Sequence, residues 1–590
     1  MKRNLLTIFL FFVSASCGFA QISEVRQLDS HPMQYQKAEW GILLTGVFVN
    51  PYLQQELTLD MLIKAPSGKK LILPCYYESG ESAKTSSWKA RFTPQENGLY
   101  RYQFRLTQRG KPVMNSPGGS FHAALVPGST VSAGSTVSAG AAGAQTMNTR
   151  GTNTSGNGFL HYKKGSDWVL QFDNGVLFRG IGENLAWESR QNDDSKYFKA
   201  LHENPKYNYE FMLPSLAAHG GNFFRTWICS WNLPVDWNKG FNSTRYQSSE
   251  EYFNPSAIKK MDRLVALSDS LGVNMMLTLG MGAWEVRDGG FSSTAADFFV
   301  NPKSRERYKN RLRYFIARWG YSASIAAWEL FNEVDNIQFE NKESPIPAAS
   351  IVAWHDEMST YLKATDPYQH LVTTSISHRD LKGLDELKNI DFNQKHIYKN
   401  TVSIPEAINT YEQRFKKPYV IGEAGFEWDW SKNFDDFSAG MDSDFKRGLW
   451  YGLFSPTAIL PMSWWWEYFD SRGTDQYLAK VRLVSESMLS AGRGAFQQTA
   501  VKATAGVTAY AVRCGNTVFI YAFNPDPTAK KLSLELETTV PGPVVTARDC
   551  ESGQVISPVT VSLTGGKTEL SGLSLTAGSD IVLILSPGSK

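Results

Sequence analysis

Eight short apolar runs set the strongest constraint on how this chain can fold. They are Val176–Ile181, Asn222–Trp227, Val273–Leu279, Ile325–Phe331, His370–Ser375, Ile390–His396, Tyr419–Gly422 and Ala458–Trp464. Helix-period stretches separate most of them. The clearest opens at Asn254-Pro255, carries Ile258, Met261, Leu264 and Val265 on one face, and is followed by Gly272. Another places Ile351, Trp354, Met358 and Leu362 at three- and four-residue steps before Asp366-Pro367. The shortest expected helix lies near Asp380–Leu387. Strands that alternate with helices predict a parallel sheet. Eight such units in about 340 residues, from 158 to 495, predict a closed (β/α)8 TIM barrel with enlarged loops.

The flanks read differently. Residues 27–123 carry short alternating strands, such as Leu57–Leu62 and Tyr100–Leu106, bounded by Pro66-Ser67-Gly68 and Asn97-Gly98. They predict an N-terminal β-sandwich. Residues 124–157 are rich in Gly, Ser and Ala, and Ser129–Gly134 is repeated at Ser135–Gly140, so a linker or exposed loop is expected. Residues 497–590 return to short strands and predict a small C-terminal β-sandwich. The fold class is thus α/β, a barrel between two all-β flanks.

A length of 590 residues agrees with about three domains. The first 20 residues read as a signal peptide. Lys2 and Arg3 precede the apolar stretch Leu5–Val13, and Gly18-Phe19-Ala20 offers a cleavage site. Export to the periplasm or beyond is therefore expected, with lipid attachment at Cys17 as the alternative. No later apolar run reaches the ~18 residues of a membrane span. Without Lys2 and Arg3 the formal charge falls from +3 to +1, which argues against a nucleic-acid partner. Four cysteines remain, too widely spaced for a zinc or redox motif, and Cys514 and Cys550 have the option of pairing.

Catalytic groups of a barrel of this kind sit where its strands end. The second run ends at Arg225 and Trp227, the fourth at Asn332-Glu333 and the sixth at His396 and Tyr398. The seventh ends at Glu423 and the eighth at Trp464-Trp465-Trp466. Two carboxyl groups thus face each other across one barrel mouth. Cleavage of a glycosidic bond needs such a pair, one group to protonate the leaving oxygen and one to attack or to activate water. Burial and an anionic neighbour should raise the acid's pKa. Neither a metal nor an organic cofactor is required.

The segment Ile325–Glu333 resembles the strand-four signature of clan A glycoside hydrolases, especially the family 5 cellulases and mannanases. Ile421–Phe426 resembles their strand-seven nucleophile motif. Phe224–Trp227, His396–Tyr398 and Ser463–Trp465 match the strand-two, -six and -eight positions. The N-terminal segment, with Glu39-Trp40 and the strand Trp88–Phe92, looks like the sandwich that precedes barrels in bacterial cellulase-like proteins. The resemblance implies a retaining double displacement with Glu333 as acid/base and Glu423 as nucleophile. It implies that Asn332 bonds the sugar 2-hydroxyl, and that Arg225 and Tyr398 hold Glu423. His396 would sit near the acid/base, and Trp464 or Trp465 would floor a sugar subsite. One departure stands out: Val334-Asp335 follows Glu333 where family 5 usually has Pro.

Other functions remain open at this stage. An endo-acting mannanase or cellulase, an exo-acting β-glycosidase of the same clan and a non-catalytic carbohydrate-binding barrel share these features. Glu183, Asn184 and Trp187 have binding or structural roles equally open to them. Gly180-x-Gly182 lacks the third glycine of a dinucleotide loop, and Ser256-x-x-Lys259 is a helix start, where Ser caps.

Overall fold

The apolar runs of the central segment pair with one another in chain order. The computed structural model describes residues 19–125, 156–280, 291–339, 341–537, 540–556, 559–564 and 566–588. Most of the expected linker and most of the expected signal peptide therefore lie outside the described residues. The barrel strands are β1 (Gly182–Asn184), β2 (Phe223–Trp227), β3 (Asn274–Thr278), β4 (Ile325–Glu329), β5 (Leu371–Thr373, resumed at Ser375–Ile376), β6 (Asn393–Tyr398) and β7 (Tyr419–Gly425). Each pairs in parallel with the next. Segment 458–464 takes the eighth place. Its Ser463 bridges Ala424 on one side and Glu183 on the other, and Ile459 bridges Gly180, so the sheet closes on itself.

The outer helices are α1 (Tyr209–Ala218), α2 (Pro255–Leu271), α3 (Pro302–Trp319), α4 (Ala348–Thr365), α5 (Ile404–Phe415), α6 (Ser438–Leu453) and α7 (Leu478–Gly492). Helix α2 shows why the sequence stops and starts where it does. The Asn254 side chain accepts from the backbone N–H groups of Ser256 and Ala257, Pro255 occupies the first turn, and Gly272 ends the helix at φ 66°. The helix expected near 380–387 does not form. That segment consists of turns in which Leu381 and Leu384 are buried, and Gly383 at φ 95° interrupts any helical run.

The first barrel strand also differs from its expected bounds. Leu177–Phe178 belongs to a small antiparallel sheet with Leu160–Tyr162 and Leu170–Phe172, and the barrel strand starts after it. Gly182 permits the switch, because a Cβ there would lie 1.7 Å from the Phe223 carbonyl oxygen. Leu160, Leu170, Phe172 and Phe178 close one end of the barrel over an apolar plug of Phe223, Met276, Phe392, Val420 and Met462. Polar side chains occupy the opposite end, where the strands finish.

On the N-terminal side, two antiparallel sheets enclose Trp40, Leu59, Met61, Trp88 and Phe104. On the C-terminal side, a six-stranded and a four-stranded sheet enclose Ile520, Leu534, Leu570 and Leu583. Cys514 and Cys550 are both free and buried. Cys514 ends one strand of the six-stranded sheet and Cys550 directly follows another, Pro543–Asp549, with two strands between them. At about 4.8 Å per strand that spacing far exceeds disulfide reach, which excludes the optional pairing. Among the described residues, no helix is long and apolar enough to cross a membrane.

Candidate active site

Arg225, on β2, is the centre around which the polar end of the barrel is arranged. Its side chain is wholly buried. Nε and Nη2 donate to the two Glu329 oxygens at 2.6 and 2.8 Å, a bidentate pair. Nη1 donates to Glu423 Oε1 at 2.7 Å and to Asn184 Oδ1 at 3.1 Å. Nη2 also reaches Asn332 Oδ1 at 2.6 Å. One guanidinium thus fixes side chains from β1, β4, β7 and the turn after β4. Alternate residues of a strand face opposite ways, so Arg225 and Glu329 point inward by register with their neighbours.

Glu423 ends the inward row of β7. Tyr398, from the end of β6, donates its hydroxyl to Glu423 Oε2 at 2.6 Å. Both carboxylate oxygens are therefore acceptors, Oε1 from Arg225 and Oε2 from Tyr398. Glu333 lies beyond β4 in the left-handed region, φ 47° and ψ 51°. A non-glycine residue there carries strain of about 1 kcal/mol or more. The turn is held by the Glu333 N–H donating to Ser375 Oγ at 2.9 Å and by Asn336 Nδ2 donating to Glu333 Oε2 at 2.8 Å. His396 Nδ1 lies 2.7 Å from Glu333 Oε1 and 3.4 Å from Glu423 Oε2. Its Nε2 is buried without a hydrogen-bond partner.

One oxygen of Glu333, one of Glu423 and a ring nitrogen of His396 lie within 4.8 Å of one another. The three titrate together. Burial acts to raise the Glu333 carboxyl, but the hydrogen bond and charge of His396 prevail and hold it below the ordinary carboxylate range. Burial pushes Glu423 up, against the pull of His396 and Arg225. Burial opposes charge on His396, yet the Glu423 and Glu333 carboxylates raise it above the ordinary imidazole value. This order differs from the expectation that Glu333 alone carries a raised carboxyl. The reason is the short His396–Glu333 bond, which lets one proton belong to the pair. Moving that proton along the bond turns imidazolium and carboxylate into imidazole and carboxylic acid. Arg225 and Tyr398 each donate to one Glu423 oxygen, and both bonds favour its ionised form against that burial.

The same three donors are spaced so that a cation could bridge them. Their surroundings suit proton chemistry better. His396 turns Nδ1 toward both carboxylates, where a bound proton serves the bond to Glu333, and Arg225 already supplies positive charge beside Glu423.

Of the two tryptophans, Trp464 packs edge-on against Trp187 and lies 5.0 Å from Trp227, whose ring is beneath the Arg225 guanidinium. Trp465 turns away. Its ring stacks on Phe198 and meets Phe434, and its N–H donates to the Glu427 carbonyl. The structure therefore gathers Arg225, Asn332, Glu333, His396, Tyr398, Glu423 and Trp464 at one end of the barrel and sets Trp465 in the packing behind it.

The chain is similar to several known proteins. Residues 31–107 match a domain of unknown function, DUF5060. Mannan endo-1,4-beta-mannosidase A of Podospora anserina is 23% identical over 248 residues, 37% of this chain and 64% of that protein. Mannan endo-1,4-beta-mannosidase 3 of Arabidopsis thaliana is 23% identical over 246 residues, 38% of this chain and 52% of its own length. The chain thus spans less than two thirds of these curated relatives. Part of the chain is thus similar to proteins named as mannan endo-1,4-beta-mannosidases. A solved structure from Bacteroides vulgatus, described as a candidate glycoside hydrolase, shares the fold with a TM-score of 0.62 at 12% identity, covering 95% of this chain and all of that one.

Some of the site's framework escaped sequence reasoning. Glu329 is the strongest partner of Arg225, yet in the sequence it is one charged residue inside an apolar run. Its only signal was that same oddity, since an unpaired carboxylate is rarely buried. Asn184, whose role was open, is structural: its amide donates to the carbonyls of Gly422 and Ser463 and so ties β1 to β7 and the eighth segment.

Proposed function

We propose that the protein is an exported, retaining, endo-acting glycoside hydrolase whose substrate is a β-1,4-linked polysaccharide of the mannan type. The observation that carries the proposal is the facing pair Glu333 and Glu423, with carboxylate oxygens within 4.8 Å. Retaining enzymes hold their two carboxyl groups roughly 5–5.5 Å apart, whereas inverting enzymes need the wider gap that admits a water. The mannan preference is supported by the named relatives alone.

In this reading Glu423 attacks the anomeric carbon as the glycosidic bond breaks. Arg225 and Tyr398 aim its oxygens and keep them unprotonated until attack. Glu333 passes the proton it shares with His396 to the departing oxygen. It then takes a proton from the water that hydrolyses the glycosyl-enzyme, so the anomeric configuration is restored. Asn332 has its oxygen committed to Arg225, which leaves its amide hydrogens for the sugar 2-hydroxyl.

The test is product analysis on mannan, glucomannan, carboxymethyl-cellulose and xylan, with the first-formed anomer read by NMR. Internal cleavage of a mannan-type chain with β product is expected. An α product first formed would sink the retaining mechanism, and binding without turnover on every polymer would sink the hydrolase.

A further inference from the structure

The segment that follows the β7 carboxylate exposes large rings without need. Phe426, Trp428 and Trp430 are 41%, 57% and 45% exposed within five residues of β7. Exposed tryptophans on a loose loop would mean little, but this loop is pinned. Glu427, almost fully buried, accepts the backbone N–H groups of Trp428 and Asp429 at 3.0 and 3.1 Å. Its carboxylate also meets Lys399 at 3.0 Å and Lys432, and its carbonyl accepts from Trp465 Nε1 at 2.7 Å. Trp465, buried behind the site, thus has a use as the support of this loop.

The exposed rings are linked to the candidate site, by the neighbour of Tyr398 on one side and through buried side chains on the other. Lys399, the residue after Tyr398, lies over the Trp428 ring at 5.1 Å. Arg190 lies between Trp187, at 5.2 Å, and Trp430, at 6.0 Å. Trp187 in turn packs on Trp227 and Trp464 beside Arg225. Among the described residues no aromatic ring packs on Trp428. A protein partner would favour a broad aliphatic patch, whereas flat rings with a cation beside each suit a different ligand. Pyranose rings present C–H faces for an indole, and hydroxyls at their rims for the half-exposed Lys399.

We infer that Trp428 and Trp430 form an aromatic wall that binds sugar units of a neutral β-linked polysaccharide beyond the linkage being cut. This rests on the hydrolase reading and adds that the site engages a long chain. The experiment uses the full chain and the variants Trp428→Ala, Trp430→Ala and both together, with Trp→Phe at each as controls that keep a ring. For soluble glucomannan relative to an aryl β-glycoside, the ratio of kcat/KM should fall about tenfold in the double variant, chiefly through KM, and recover in part with Phe. An unaltered ratio overturns the wall. If the parent hydrolyses nothing, the hydrolase reading fails on its own, and retardation of Glu423→Ala in native gels containing glucomannan or galactomannan then decides. The double aromatic variant in that background should migrate less retarded. Equal retardation, or none for Glu423→Ala itself, overturns the inference.

Discussion

Arg225 and His396 divide the work of placing protons among three glutamates. Arg225 is committed to Glu329 and Glu423, so the mobile proton belongs to His396 and Glu333. Glu423→Ala should abolish turnover, and azide should restore it as an inverted glycosyl azide. Glu333→Ala should spare activated aryl glycosides far more than polymers, and azide should then give retained configuration. NMR of each adduct is the measurement; swapped anomers would reverse the two assignments. A second expectation concerns pH. The His396 imidazolium persists to higher pH than an ordinary histidine, because Glu423 and Glu333 face it. Activity that depends on the pair's proton is present below that raised value and lost as pH rises through it. In His396→Asn the proton rests on a carboxyl alone, so the alkaline limb of kcat/KM should move to lower pH. A limb that stays put would show that His396 only fills space. Glu333, Glu423 and Arg225 were legible in the sequence because each ends an apolar run. Glu329 was not, because the strand pattern records that a residue is inward-facing but not what it faces.

At the scale of elements, legibility followed local signals. Helix α2 was readable because Asn254, Pro255 and Gly272 act within a few residues of its ends. The turns at 380–387 depart from the expected helix because two buried leucines at three-residue spacing look the same in a turn as in a helix. Cysteine pairing depended on strand order across a sheet, which spacing along the chain does not encode. Helix α4 carries its own prediction. His355, fully buried, faces the Ile351 carbonyl through Nδ1 at 2.8 Å and the Thr374 hydroxyl through Nε2 at 3.0 Å. Burial lowers its pKa to about 4. The fold therefore prefers the neutral ring. Its contribution is complete above the unfolded value of about 6.5 and is lost as pH falls toward 4, a loss of about 3 kcal/mol at most. Thermal unfolding of wild type should drop over that window, and His355→Gln should flatten the drop. Identical pH slopes would show that acid instability arises elsewhere.

At the scale of the whole molecule, the N-terminal sheets pack directly against the barrel, each lending side chains to the other's core. Phe159 and Tyr368 belong to the core cluster that fills the N-terminal sheets, and Tyr76 belongs to the barrel's. The Thr93 N–H donates to the Tyr368 hydroxyl at 2.9 Å, and its hydroxyl donates to the Tyr321 carbonyl. Arg91 reaches the Arg318 carbonyl and Asp262, while Asp60 holds Arg313 at 2.5 Å. The partners described above for Glu333 and Glu423 all come from the barrel, which predicts that the N-terminal sheets contribute to folding rather than to chemistry. Asp60→Ala leaves Arg313 without its near carboxylate in a mostly buried setting, a cost of about 3 kcal/mol. It should lower Tm measurably while kcat at 25 °C holds. Removal of residues 1–155 goes further, since it uncovers Tyr368 and the partners of Arg91 and Thr93 at once. The shortened protein should unfold at lower temperature and aggregate, but the fraction that remains folded should turn over at the parent rate. Active-site titration with a mechanism-based glycosyl inhibitor separates the two quantities. A shortened protein that is fully folded by titration yet inactive would place a catalytic contribution in the N-terminal sheets and overturn this division of labour.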